Sequence, residues 1–357
     1  MRRTLNTLAC LTALLTACGP ELDDADAPVL DQHAQALESD GLITGHHVAG
    51  TPLATLSVVV NGTGQALTVH GTDSNDKMTL SRINGQLYLW IVIRDSDGVL
   101  TGSQGMVCTE DGPYRCDLLV THLNIFMGDG DDEFSTTVPN SEPVQNNGLH
   151  WLRVSGEDGN DTIEGASWAH GGGDHDTITG TSGDDLLQGG TGHDALYALG
   201  GDDDVYGQEG DDVIEGGGGE DAISGGDGND TLSGGDDDDL IFGDADDDDI
   251  SGGNGADEIH GGGGRDTLRG DAGGDTIYGD DGADVIYGGE GKDSLHGNDG
   301  GDTIYGQQDD DRIFGGGGDD DLYGGSGKDN INGGGGRDHA DGEAGDDDCS
   351  AEKKKNC

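Results

Sequence analysis

Gly225–Ser233 reads GGDGNDTLS, and Gly288–His296 reads GGEGKDSLH. The same nine-residue pattern runs from Gly171 to Ser350 without insertion or deletion, which makes 20 copies in 180 residues. Numbering positions within each copy, position 1 is Gly in 19 copies, with Ala198 the exception. Position 4 is Gly in 16 copies and Asp in the other 4, and position 6 is Asp in all 20. Position 8 is Ile, Leu or Val in 18 copies and departs only at Ala340 and Cys349. A fixed internal period identifies a repeat architecture before any single element is assigned. Glycines supply the positive φ of a tight turn and let the backbone approach a neighbour closely. The three residues around position 8 form a short strand whose middle side chain points inward.

The pattern GGxGxDxUx resembles the hemolysin-type (RTX) calcium-binding repeat, and the resemblance covers half of the chain. It implies an all-β fold: a parallel β-roll with two repeats per turn and about ten turns, roughly 45–50 Å long at the usual inter-strand spacing. It also implies Ca²⁺ as cofactor, each ion lying between one loop and the loop two copies on, held by carboxylates of both and by loop carbonyls. Calcium takes about 6–8 oxygen ligands and suits such donors. The ligands implied are the position-6 residues Asp176, Asp185, Asp194, Asp203, Asp212, Asp221, Asp230, Asp239, Asp248, Asp257, Asp266, Asp275, Asp284, Asp293, Asp302, Asp311, Asp320, Asp329, Asp338 and Asp347. Copies with Asp at position 2 or 4, such as those holding Asp244 and Asp246, depart from the motif.

Composition agrees with a fold built around cations. The 357 residues include 74 Asp plus Glu against 16 Lys plus Arg, a net charge of −58. Only 31% are hydrophobic and 4% aromatic, too few for a large conventional core. So acidic a surface repels nucleic acid and anionic membranes, which excludes a nucleic-acid partner. Residues 171–350 carry 50 acidic and 6 basic residues, a net −44. About 18 calcium ions between ten turns of loops would add roughly +36 and neutralise most of it. Without ions, stacked carboxylates repel, so the block is expected to be disordered in chelator and to fold on binding calcium.

The N-terminus reads as an address. Met1–Arg3 carries two arginines, and Thr4–Ala17 is apolar, uncharged and too short to span a membrane comfortably. It ends in Leu15-Thr16-Ala17-Cys18, which is similar to the lipobox of bacterial lipoproteins. That resemblance implies residues 1–17 as a signal peptide and Cys18 as the lipidated first residue of an exported, anchored protein. Gly19 is not the Asp of inner-membrane retention, which points by analogy to the outer membrane. Residues 18–50 read as an acidic tether, with a short helix possible over Val29–Ser39. The remaining cysteines form two local pairs, Cys108 with Cys116 and Cys349 with Cys357. An even number in an exported chain suggests disulfides, with zinc the alternative.

Residues 51–170 are expected to form an irregular β-rich cap. Alternation predicts strands at Leu56–Val60, Ala66–His70, Leu87–Ile93, Leu118–Phe126 and Leu149–Val154. Degenerate copies of the repeat stand at Gly71–Thr79 (GTDSNDKMT), Met127–Ser135 (MGDGDDEFS) and Gly156–Glu164 (GEDGNDTIE), adding Asp132 and Asp161 to the ligand column. Trp90, Trp151 and Trp168 are expected to pack within the cap, and residues 351–357 to close the C-terminus. Position 9 places Tyr206, Phe242, His260, Tyr278, His296 and Phe314 on one outer face, and Tyr197, Tyr287, Tyr305 and Tyr323 on the other. Such ladders stabilise sheets, with a glycan or protein ligand as the alternative use. No HExxH or GxSxG occurs, Asp follows Lys292 and Lys328 where a phosphate loop needs Ser or Thr, and His170 and His175 have no evident further metal partner. The expectation is a non-enzymatic calcium-binding structural or surface protein.

Overall fold

The computed structural model describes residues 125–136 and 152–357 in full. It also gives the backbone of strands Leu42–Thr44, Ser57–Val60, Ala66–His70, Asp76–Ile83, Gln86–Arg94, Leu100–Cys108, His122–Phe126 and Trp151–Asp158. Among the described residues every regular element is a strand. The chain divides into two compact units, Met1–Thr177 and Ile178–Cys357.

The second unit is a parallel β-solenoid. From Leu186–Thr191 onward its strands alternate between two sheets, and each pairs in parallel with the strand two further along. In one sheet Leu187 lies opposite Val205, and Ile223 opposite Ile241; in the other Leu196 lies opposite Ile214, and Ile250 opposite Leu268. Partners are therefore two copies apart, and every position-8 side chain stacks on its equivalent in the next turn. All of them from Ile178 to Ala340 are 0–1% exposed, and Cys349 is 6% exposed.

The strands are longer than the three residues expected. Thr231–Asp236, for example, spans positions 7 to 9 and continues through positions 1 to 3 of the next copy. Alternation puts the position-1 glycine on the same inward face as position 8. The register passes over position 1 itself and resumes at positions 2 and 3, where Gly217 pairs with Gly235 and Gly218 with Asp236.

The last turn departs from the period. Lys353–Lys355 pairs in parallel with His339–Gly345, placing Lys354 opposite Ala340. The Cys349–Cys357 disulfide forms as expected.

The first unit is mixed. Ser57–Val60 pairs antiparallel with Leu42–Thr44, within the stretch read as a tether, and with Ala66–His70. Asp76–Ile83, Gln86–Arg94 and Leu100–Cys108 form an antiparallel meander, to which the sequence pattern gave only the middle strand. The degenerate copies nevertheless stack in parallel. Met78 lies opposite Phe134, and Phe134 opposite Ile163, so the position-8 residues of all three share one column. Val69, Ile125, Val154 and Ala169 form the other. The cap thus repeats the rung geometry of the roll, with long hairpins and loops inserted between rungs. Residues 1–41, with Cys18 and the segment Val29–Ser39, lie outside the described residues, as do Cys116 and the side chains of Trp90, Cys108 and Trp151.

Candidate metal centres

The strand that buries position 8 also fixes position 6, two residues earlier on the same side of the chain. All position-6 side chains from Asp176 to Asp338 are 1–5% exposed, and Asp132 and Asp161 are equally buried. Burying this many carboxylates is costly unless each finds a partner.

One oxygen of each carboxylate has such a partner. From Asp203 to Asp347, Oδ1 accepts the main-chain N–H of the aspartate two copies earlier, at 2.7–3.3 Å. In the first unit Asp161 receives the Asp132 N–H at 2.7 Å, and Asp176 receives the Asp161 N–H at 2.8 Å. The carboxylates do bridge stacked loops, and they do so through the backbone.

The second oxygen is different. From Asp203 to Asp347, Oδ2 is buried without any hydrogen-bond donor. From Asp212 onward it rests against the position-1 glycine of its own copy, whereas the Asp203 copy has Ala198 there. A Cβ on Gly243 would stand 2.3 Å from Asp248 Oδ2 and 2.5 Å from the carbonyl oxygen of Gly261, and the same pair of contacts recurs at Gly207, Gly270 and Gly306. A carboxylate oxygen and a carbonyl oxygen therefore converge on the space glycine leaves. Two acceptors facing one another with no donor between them suit a cation.

The turn that brings these oxygens together requires unusual backbone angles. Position 2 has φ between 62° and 126° in every copy from Gly190 to Glu343, including Leu199, Gln208, Asp244, Asp271, Asp280, Asn298 and Gln307. Asp244 and Asp246, the departures noted in the sequence, keep the turn by entering the left-handed region that Asp tolerates better than most residues.

Position 5 adds an outer ladder running the opposite way. Asp184, Asp202, Asp211, Asn229, Asp247, Asp310 and Asp319 each accept the N–H two copies later. Arg265 and Arg337 strengthen it with ion pairs to Asp247 and Asp319, both at 2.6 Å.

Burial is the main cause that pushes the position-6 carboxyls above their usual range. Asp185, Asp212, Asp221 and Asp320 rise to about 6, Asp161, Asp203, Asp230, Asp239, Asp275 and Asp284 to about 7, and Asp248 and Asp311 to about 8. The accepted backbone hydrogen bond opposes this, and at Asp248 the neighbouring Asp230 and Asp266 charges add to it. These groups favour a neutral state or a bound positive charge.

Among the described residues no group of three or more His, Cys, Asp or Glu side chains is arranged to hold a metal. Any ion here must take much of its shell from backbone carbonyls. The donors are all oxygen, which fits a hard cation such as Ca²⁺ rather than zinc.

The aromatic ladders form without Tyr206 and Tyr197, which lie opposite Ser224 and Glu215. Phe242, His260, Tyr278, His296 and Phe314 stack with centroids 4.7–5.0 Å apart, and Tyr287, Tyr305 and Tyr323 with centroids 4.9–5.1 Å apart. Tyr206 remains 38% exposed. Trp168 carries the Arg153 guanidinium over its ring at 3.5 Å.

The closing segment 351–357 was expected from the sequence, but not the contacts that Glu352 and Lys354 make in it. Glu352 accepts the Asp338 N–H at 2.9 Å, the role the next position-6 Asp would have played, and Lys354 bonds the Cys349 carbonyl. The end of the period marks where the closure falls, but not which atoms meet in it.

No curated protein matches the chain. The model of the RTX calcium-binding nonapeptide repeat (4 copies) matches residues 153–167, 170–205, 197–232, 224–259, 260–295, 296–330 and 323–352. With this match over more than half its length and a donorless carboxylate oxygen on turn after turn, the chain belongs to the RTX calcium-binding repeat family.

Proposed function

We propose that this protein is a lipid-anchored, exported calcium-binding protein of the cell envelope, with a structural or adhesive role and no catalytic activity. Its β-roll would fold as calcium enters between the loops. The observation that carries this is the file of buried Oδ2 atoms facing carbonyl oxygens with no donor between them. Asp203 to Asp347, with Asp132, Asp161, Asp176 and Asp194, would supply the carboxylates, and the loop carbonyls the rest of each shell. Bound calcium supplies positive charge at these points; the chain supplies the spacing, through strands that hold equivalent loops two copies apart. Millimolar external calcium suits modules of this kind, which bind at about 10⁻⁴–10⁻³ M.

The Leu15–Cys18 lipobox supports the anchor and the outer membrane as destination. The ladders support a structural role over glycan recognition. Rings stacked at about 5 Å cover one another's faces, whereas a sugar needs an open face.

The test is a Ca²⁺ titration of the purified protein followed by far-ultraviolet circular dichroism, with Mg²⁺ as control. A cooperative coil-to-β transition specific to calcium is expected. A flat response would refute the proposal.

A further inference from the structure

One loop of the second unit handles its carboxylate differently. Asp185 Oδ2 accepts the Thr181 N–H at 2.5 Å, and Asp185 Oδ1 accepts the Thr181 hydroxyl at 3.0 Å. The 17 position-6 residues from Asp203 to Asp347 all have a buried Oδ2 without a donor. The backbone explains the difference. Thr181 stands at position 2, where every later copy takes a positive φ, and Thr181 does not. A β-branched residue strongly disfavours that region. The loop therefore turns another way, with the Thr181 hydroxyl also meeting the Gly183 backbone at 3.1 and 3.2 Å, and the Thr181 amide swings onto the carboxylate. Among the 20 copies, Thr181 is the one threonine at position 2.

We infer that the loop Gly180–Asp185 is a calcium-independent turn, in which the amide and hydroxyl of Thr181 occupy the coordination that an ion would otherwise take on Asp185. This rests on the calcium reading of the array and refines it. Asp185 leaves the set of expected ligands, and the run of calcium loops in this unit starts later than the motif implies. The rung keeps its place in the ladder, since the Asp185 N–H still donates to Asp203 Oδ1 at 2.7 Å. It can thus stay ordered when calcium is scarce.

The test is to count bound metal. The purified full chain, Thr181→Gly, Thr181→Gly with Asp185→Asn, and Asp257→Asn are each dialysed against saturating Ca²⁺. Metal content per chain is measured by elemental mass spectrometry, with circular dichroism to confirm folding. Thr181→Gly restores the consensus turn and should bind one further Ca²⁺ per chain. The added Asp185→Asn should cancel that gain, and Asp257→Asn should lose calcium relative to the parent. An unchanged count in Thr181→Gly, with calcium still lost in Asp257→Asn, would overturn the inference and leave the calcium reading standing. No loss in Asp257→Asn would overturn both. Amide hydrogen exchange of the segment 180–185 gives a second readout. Its protection should depend less on calcium than that of 252–257, and equal dependence would also overturn the inference.

Discussion

Gly261 and Gly263 lie two residues apart in one repeat, and replacing each with Ala should move stability in opposite directions. A Cβ on Gly261 would stand 2.5 Å from Asp266 Oδ2 and 2.8 Å from Gly279 O. Neither neighbour is the end of a loose side chain, since the carboxylate is fixed by the Asp248 N–H at 2.9 Å and the carbonyl belongs to the next rung. Overpacking of this kind costs about 1–3 kcal/mol. The methyl would also fill the space on which the two oxygens converge. At calcium roughly 10 to 100 times the dissociation constant, losing one site removes about 1–3 kcal/mol more. A Cβ on Gly263 meets nothing within 4 Å, and its φ is not positive. Ala there should stabilise by about 0.4–1 kcal/mol, through the lower entropy of the unfolded chain. In calcium, Gly261→Ala should therefore lower the melting temperature by roughly 5–15 °C, while Gly263→Ala raises it by about 1–3 °C. Thermal unfolding followed by circular dichroism, with calcium counting alongside, reads both. Equal melting temperatures, or a full calcium complement in Gly261→Ala, would show that position-1 glycines do not guard an ion site.

Three other outcomes are expected. Because position-6 carboxyls rise from 3.8 to about 6–8, the folded chain holds protons that the unfolded chain has released, so ion-free stability falls as pH climbs from about 4 to about 8. Acidifying the chelated protein should then increase β-structure, and calcium binding near pH 7 should release protons, visible as buffer-dependent heats in calorimetry; heats independent of the buffer would contradict the shifts. Reducing Cys349–Cys357 opens a short loop whose closure contributes about 2–3 kcal/mol, so reductant should lower the unfolding midpoint, most clearly in hydrogen exchange at 339–357. Tyr305→Ala, with stacked neighbours on both sides, should cost about 1–3 kcal/mol, against under about 0.5 kcal/mol for Tyr206→Ala, by urea denaturation in calcium.

The nonapeptide period determined most of this protein's second unit. A column of Asp in all 20 copies and one of Ile, Leu or Val in 18 of them, held in step, dictate a parallel stack with equivalent residues two copies apart. The aromatic ladders follow from the same arithmetic. Even the degenerate copies were legible, since Met78, Phe134 and Ile163 align as their positions require. Local pattern sufficed because each rung contacts chiefly its neighbours, so a repeat states nearly its whole environment.

Only the tertiary structure decided what each Asp oxygen does. The sequence gives one residue type at all 20 sites, but the fold splits its two oxygens between a neighbour's N–H and a donorless space. It also shows why position 1 is glycine in every copy but that of Ala198: a carbonyl from the next turn arrives where a side chain would stand, and that turn is two copies away in the chain. The bonding partners of Glu352 and Lys354 at the C-terminal closure were hidden for the same reason, as was the Thr181 turn. A period reports what recurs, whereas ends and exceptions are set by which atoms meet across turns, and packing in three dimensions fixes that.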